Sequence, residues 1–171
     1  MFTRTRVFAG LLAVGLVAGA TATAVAQTPA RIGEFSDWGA FSYDSGNGKV
    51  CYALSVPTSK QPTNVDHGDN FFLVTQRTKQ NVTYEPQFMA GYSLREGSKV
   101  TVSVDGQDFT FFTKENSAWV ENAAQEPALV AAMKAGSKMV VKATSRRGTN
   151  TTYEYSLSGV TAALDAIQDC K

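Results

Sequence analysis

The stretch Lys99–Phe112, KVTVSVDGQDFTFF, decides how this chain folds. Val100, Val102 and Val104 alternate with Thr101 and Ser103, the alternation of a half-buried strand. Asp105-Gly106 follows, and this dipeptide suits a type I′ hairpin because both central residues of that turn need positive φ. With those two residues as the loop, Val104 faces Gln107, Val102 faces Phe109 and Val100 faces Phe111. β-Branched and aromatic side chains then oppose one another on one face, while Thr101, Ser103, Asp108 and Thr110 share the other. One face is expected in the core and the other mostly in water. Phe112 falls on the polar side, which calls for a covered strand end or a second apolar layer.

Strand patterns extend in both directions from this hairpin. Val50, Tyr52, Leu54 and Val56 alternate with Cys51, Ala53 and Ser55, so Cys51 points away from the Tyr52 row, and Pro57 stops the strand. Phe71-Phe72-Leu73-Val74 is a continuous apolar run, as for a strand buried on both faces. Val82 to Met89 is weaker, and its Pro86 suggests a sheet edge or a bulge. Met139 to Ala143 and Tyr153 to Leu157 flank the loop Ser145–Asn150 as a second hairpin, and Phe35, Trp38, Phe41 and Tyr43 form an aromatic segment broken by Gly39. About eight strands result.

Only two helices are expected. One runs from about Pro127 to Ala135, with Pro at its first position and Gly136 as its stop. The other starts near Ser158 as N-cap and runs towards Gln168, with Val160, Leu164 and Ile167 on one stripe and Ala163, Ile167 and Cys170 on its neighbour. Helices between successive strands are missing, so the pattern fits a two-layer antiparallel β-sandwich better than a parallel α/β fold.

The N-terminus reads as an export signal. Arg4 and Arg6 precede an apolar run from Val7 to Ala20, and Ala24-Val25-Ala26 is a small-x-small cleavage site before Gln27. The expected organisation is a signal peptide over 1–26 and a single β-sandwich domain over 27–171. The apolar run is rich in Gly and Ala and lacks a positive cluster beyond it, which disfavours a retained membrane span. Removing Arg4 and Arg6 from 16 basic residues leaves 14 against 15 acidic ones, a balance that argues against nucleic acid as partner. About 145 residues remain, enough for one domain with a real core. Two cysteines, Cys51 and Cys170, are too few for a zinc site of cysteines and read as one disulfide in an oxidising compartment.

Candidate chemistry is sparse. His67 is the single histidine, in the polar loop Thr63–Asn70 with Asp66 beside it. No GxSxG pattern accompanies it, so a solvated turn histidine is favoured over a hydrolase base. Asp66, Asp69 and Asn70 do not match the spacing of an EF-hand calcium loop. Gly46-Asn47-Gly48-Lys49 lacks the Ser/Thr and helix of a phosphate loop and reads as a hairpin turn. Arg146-Arg147 at a loop tip, with Lys138 and Lys142 on the strand before it, forms a small basic area. It could grip an acidic polysaccharide, a lipid phosphate or a partner protein, or be a solvated hairpin end that deters edge pairing. Trp119 reads as a core or sheet-face aromatic. No catalytic residue, metal or cofactor is expected.

Taken in order, Lys49-Val50-Cys51-Tyr52, Phe71–Thr75, Gly91-Tyr92-Ser93-Leu94, Ala118-Trp119, Met133–Gly136 before Met139-Val140-Val141, Arg147-Gly148-Thr149, and Tyr155–Leu164 running to Cys170 resemble the invasion-associated locus B family of exported Gram-negative proteins. The match covers nearly the whole mature chain. The resemblance implies an immunoglobulin-like β-sandwich and supplies no catalytic residues. It implies an exported, periplasmic or secreted, non-enzymatic envelope protein that binds a protein or an envelope or host-surface component, with a part in host-cell invasion or surface interaction. A periplasmic accessory or chaperone-like module for envelope assembly is the alternative; a hydrolase using His67 is the third reading.

Overall fold

The computed structural model of this protein describes residues 28–168 and 170, so the expected signal peptide over 1–26 lies outside the described residues. Eleven strands are present among them: β1 (Ala30–Phe35), β2 (Trp38–Asp44), β3 (Lys49–Ser55), β4 (Ser59–Gln61), β5 (Phe71–Arg77), β6 (Val82–Met89), β7 (Lys99–Val104), β8 (Gln107–Lys114), β9 (Ser117–Val120), β10 (Lys138–Thr144) and β11 (Asn150–Ser156). Two helices complete the set, α1 (Glu126–Ala135) and α2 (Val160–Gln168). The chain is mainly antiparallel β with two short helices, consistent with the expected β-sandwich.

The Lys99–Phe112 hairpin has the expected register throughout: Val100 pairs with Phe111, Val102 with Phe109 and Val104 with Gln107. Asp105 and Gly106 take φ of 45° and 95°, as the tight turn demands. Val100, Val102, Val104, Phe109 and Phe111 are all buried. Phe112 is 40% exposed and stacks at 5.8 Å on Trp119, its cross-strand partner in β9. The polar face is therefore broken by a local aromatic pair, with no second apolar layer needed.

One sheet carries every strand, in the order β1-β2-β3-β5-β6-β9-β8-β7-β10-β11-β4. It folds over on itself, because side chains far apart in that order meet across the core. Phe72 of β5 lies 6.2 Å from Phe111 of β8 and 6.0 Å from Tyr155 of β11, and Phe88 of β6 lies 5.5 Å from Tyr153 of β11. Two ends of the fold-over are tied by Trp38 Nε1, which donates to Ser156 O at 3.0 Å. β6 is central, not an edge, although it contains Pro86. The short β9 ladders only Gln87–Met89, so Pro86 lies past the end of that ladder, and the β5–β6 register shifts nearby.

On β3, the large side chains face outward and the small ones inward. Cys51, Ala53 and Ser55 are buried, as is Ala40 on the paired β2, while Tyr52 and Leu54 are half-buried on the other face, where Tyr52 stacks on Phe41. The small inner row leaves room for α2, which packs on β1, β2, β3 and β5 through Val160, Ala163, Leu164 and Ile167. α1 packs on β6 and β7 and touches α2. Gly159, at φ 89°, opens the second helix in place of the expected Ser158 cap, since a Cβ there would run into the carbonyl oxygen of Phe35. Gly136 ends α1 as expected but with extended backbone. Its lack of a Cβ serves packing, with Val104 and Asp105 side-chain atoms within 2.9 Å of where one would sit.

Cys51 and Cys170, 119 positions apart in sequence, are joined by a disulfide with Cα atoms 5.7 Å apart. Thr78 Oγ1 donates to Cys170 O at 2.6 Å, holding the same end. Loop closure of that length stabilises by about 5 kcal/mol in the chain-entropy model, before native strain is subtracted. The double variant Cys51→Ser/Cys170→Ser is therefore expected to lose several kcal/mol of unfolding free energy in urea titration. A loss below about 1 kcal/mol would contradict this role.

The hairpin tip is anchored by its own turn residue. The carboxylate of Asp105 accepts from Ser137 N at 2.8 Å and Lys138 N at 3.1 Å, which hold its pKa below the ordinary aspartate range. A depressed folded-state pKa adds stability that is present above the unfolded value, about 3.9, and is lost as pH falls through the folded one. Acid titration of the wild-type protein should show that loss, and Asp105→Asn should flatten the stability difference between pH 5 and pH 2.

Candidate functional site

A polar cleft of about 440 Å³ opens where three loops converge: the β4–β5 loop at Val65–Gly68, the segment Gly91–Ser93 after β6, and the β10–β11 turn with Ser145, Arg146, Arg147 and Thr149. Strand directions place it at the end opposite the disulfide and the helices, since β6 and β10 run into it and β5 and β11 run out of it.

Backbone bonds lock the loops together. Arg146 N donates to Ser93 O at 2.8 Å, Arg95 N to Thr144 O at 2.9 Å, and Leu94 bridges to Ser145. Gly91 is required by close approach: a Cβ there would lie 2.5 Å from Asp69 N and His67 O. Asn70 is buried and organises the first loop, with Nδ2 donating to His67 O and Gly68 O and Oδ1 accepting from Gly91 N. Asp66 accepts from Gly68 N at 2.9 Å. Asn70 and Asp66 are thus turn-formers. No group of three His, Cys, Asp or Glu side chains able to hold a metal ion occurs among the described residues.

His67 departs from the expected solvated turn histidine. It is 7% exposed, and both ring nitrogens are engaged. Nε2 meets Pro62 O at 2.8 Å, and because a carbonyl only accepts, that nitrogen carries the proton. Nδ1 meets Tyr153 Oη at 2.9 Å. Close polar contacts continue from Tyr153 Oη to Tyr92 Oη at 3.1 Å, from Tyr92 Oη to Thr151 Oγ1 at 2.5 Å and from Thr151 Oγ1 to Ala143 O at 3.3 Å; four protons serve the five contacts between Pro62 and Ala143, so Tyr153 shares its one proton between His67 and Tyr92 or the hydroxyls reorient. Burial first, then the hydrogen bond to Tyr92, pushes the Tyr153 phenol far above the ordinary tyrosine range. Burial does the same to Tyr155, whose hydroxyl has no hydrogen-bond partner among the described residues. Both phenols stay neutral, and that of Tyr153 acts as a hydrogen-bonding group. No serine hydroxyl bonds to His67 among the described residues.

The arginines sit differently. Arg146 and Arg147 are exposed on the cleft rim, and neither has an ion-pair partner among the described residues. The Arg95 guanidinium lies 3.0 Å from where a Cβ on Gly148, in the same turn, would sit, but outside the cleft lining. Lys138 is drawn to Glu154 at 3.7 Å and neither it nor Lys142 lines the cleft, so the basic area contracts to the arginines. His67 and the arginine pair, read as separate features of the sequence, thus share one site. Tyr92, Thr151, Tyr153, Ser93 and Thr149 were not singled out as site residues. The Gly91-Tyr92 pair carried the only signal, a glycine where backbones must touch.

Tyr153→Phe would leave His67 Nδ1 without its buried partner, an expected cost of about 1–3 kcal/mol in chemical denaturation. Arg146→Gln and Arg147→Gln are expected to change stability by less than about 0.5 kcal/mol, which separates the scaffold of the cleft from its rim.

Comparison with known proteins adds one match. The family model described as Invasion associated locus B (IalB) protein aligns with residues 38–168, which include every strand from β2 onward and the whole cleft. No curated protein and no solved structure matches the chain.

Proposed function

The chain belongs to the invasion associated locus B family, and from that membership we propose that it is an exported, non-enzymatic protein of the bacterial envelope that binds a partner through the arginine-rimmed cleft and contributes to surface interaction. The observation that carries this reading is the pair Arg146 and Arg147, exposed beside a cleft of defined shape and left without acidic partners among the described residues. Charges held at a rim without internal neutralisation steer and orient a partner of opposite sign. The disulfide supports an oxidising destination. No helix among the described residues is long and apolar enough to cross a membrane. Engagement of both His67 nitrogens supports a binding role over hydrolysis.

Cell fractionation and site-specific photo-crosslinking test this together. The protein is expected in the periplasm or culture medium, trimmed before Gln27. A crosslinker at position 147 should capture a partner that the same group at exposed Asp108, on β8, does not. Retention in the cytoplasm, or the same products from both positions, would sink the proposal.

A further inference from the structure

The unpaired groups around the cleft also define the chemistry of what enters it, and this step rests on the reading that the cleft receives a partner. We propose that the cleft binds an acidic saccharide, taking a sugar carboxylate on Arg146 and Arg147 and the sugar hydroxyls on the side chains below them. Arginine carries five N–H donors in a planar fork that matches a carboxylate, and such charge-assisted bonds are about twice as strong as neutral ones. Ser93 and Thr149 line the cleft with hydroxyls that make no side-chain hydrogen bond among the described residues. A hydroxyl both donates and accepts, so these two suit a polyol, whose own hydroxyls do the same. Tyr92 is half-buried on the floor, its hydroxyl fixed by Tyr153 and Thr151, so it is presented in one orientation.

Other ligand classes fit less well. A peptide added as a strand needs a long free sheet edge, yet β10 and β11 are paired on both sides over Met139–Lys142 and Thr152–Glu154, leaving only a residue or two of each beyond its neighbour at the cleft. A peptide or lipid anchored by an apolar group needs an apolar pocket, and Val65 and Tyr92 are the only large apolar side chains in the lining. Asp66 also lines the cleft and sets a further condition. It repels a second anion placed deep in the cleft, so the acid group belongs at the arginine rim and the neutral part of the sugar faces Asp66 and Gly68.

The sugar acid could come from an extracellular polysaccharide or from an envelope glycan, and a phosphorylated sugar shares its charge. Mature oxidised protein, residues 27–171, is titrated in a two-dimensional amide NMR experiment with a glucuronate-containing disaccharide, its neutral methyl ester, inorganic phosphate and a short polyaspartate peptide. The disaccharide should move amides of Val65–Gly68, Gly91–Arg95 and Ser145–Thr151 and few others. Its affinity should fall about tenfold or more in Arg146→Gln/Arg147→Gln and also fall as salt rises. The ester should bind at least about tenfold more weakly. Binding of ester and acid alike would overturn the carboxylate assignment. So would phosphate binding without the disaccharide, which would point to a phosphorylated ligand. Equal or tighter binding of polyaspartate would overturn the saccharide assignment. If all probes fail while the position-147 crosslink persists, the cleft still binds a partner and only the ligand class is wrong. If the crosslink fails too, the binding reading itself falls.

Discussion

A helix can lie inside this sandwich only because Ala40, Ala53 and Cys51 keep the inner face of β2 and β3 low. Large side chains in that row would fill the space that Val160, Ala163, Leu164 and Ile167 now occupy, and packing at crystal-like density tolerates no such excess. Phe41, Tyr52 and Leu54 of the same strands are displaced to the outer face, where they remain half-buried, while Trp38 stays buried at the start of β2. Everything at that end of the molecule follows: α2 closes the core, Tyr84 Oη reaches Leu164 O at 3.1 Å, and Cys170 arrives beside Cys51. The disulfide fixes an arrangement that side-chain volume has already selected.

Closure at one end leaves the other free to carry function. The cleft is built from loops that enter and leave the far ends of β5, β6, β10 and β11, and its rim arginines are engaged in no described ion pair. Its floor is different, a run of close polar contacts from Pro62 through His67, Tyr153, Tyr92 and Thr151 to Ala143 that ties three chain segments together. Rigid floor and adaptable rim are the division expected of a recognition site, because ordering the floor in advance lowers the entropic cost of binding.

Legibility in the sequence tracked the range of the interactions. The Asp105-Gly106 hairpin was readable to the residue, since turn chemistry and alternation are local. The two helices were readable to within two or three residues for the same reason, whereas Cys170, expected on a helical stripe, lies past the end of α2 and still reaches Cys51. Position in the sheet was not readable. Pro86 suggests an edge or a bulge because its missing N–H is a local fact, and the β5–β6 register does shift nearby; the short reach of β9, which makes a central site harmless, is not local. The row of β3 that faces the core was equally hidden, since the small row wins only when a helix from the far end of the chain must fit against it. His67 read as solvated because its loop is polar, whereas its partners Tyr153 and Pro62 come from β11 and a turn that no local pattern joins. The cleft is likewise a meeting of three loops distant in sequence, so its arginines were visible and its shape was not.

The central claim is that seating α2 on the small-residue face, held by Cys51–Cys170, closes this fold independently of the cleft. Amide hydrogen exchange on oxidised and reduced mature protein tests it most directly, since exchange reports opening segment by segment. The account predicts that reduction leaves Val160–Gln168 the least protected regular element while Val100–Phe111 remains the most protected. Undiminished protection of Val160–Gln168 after reduction would contradict it.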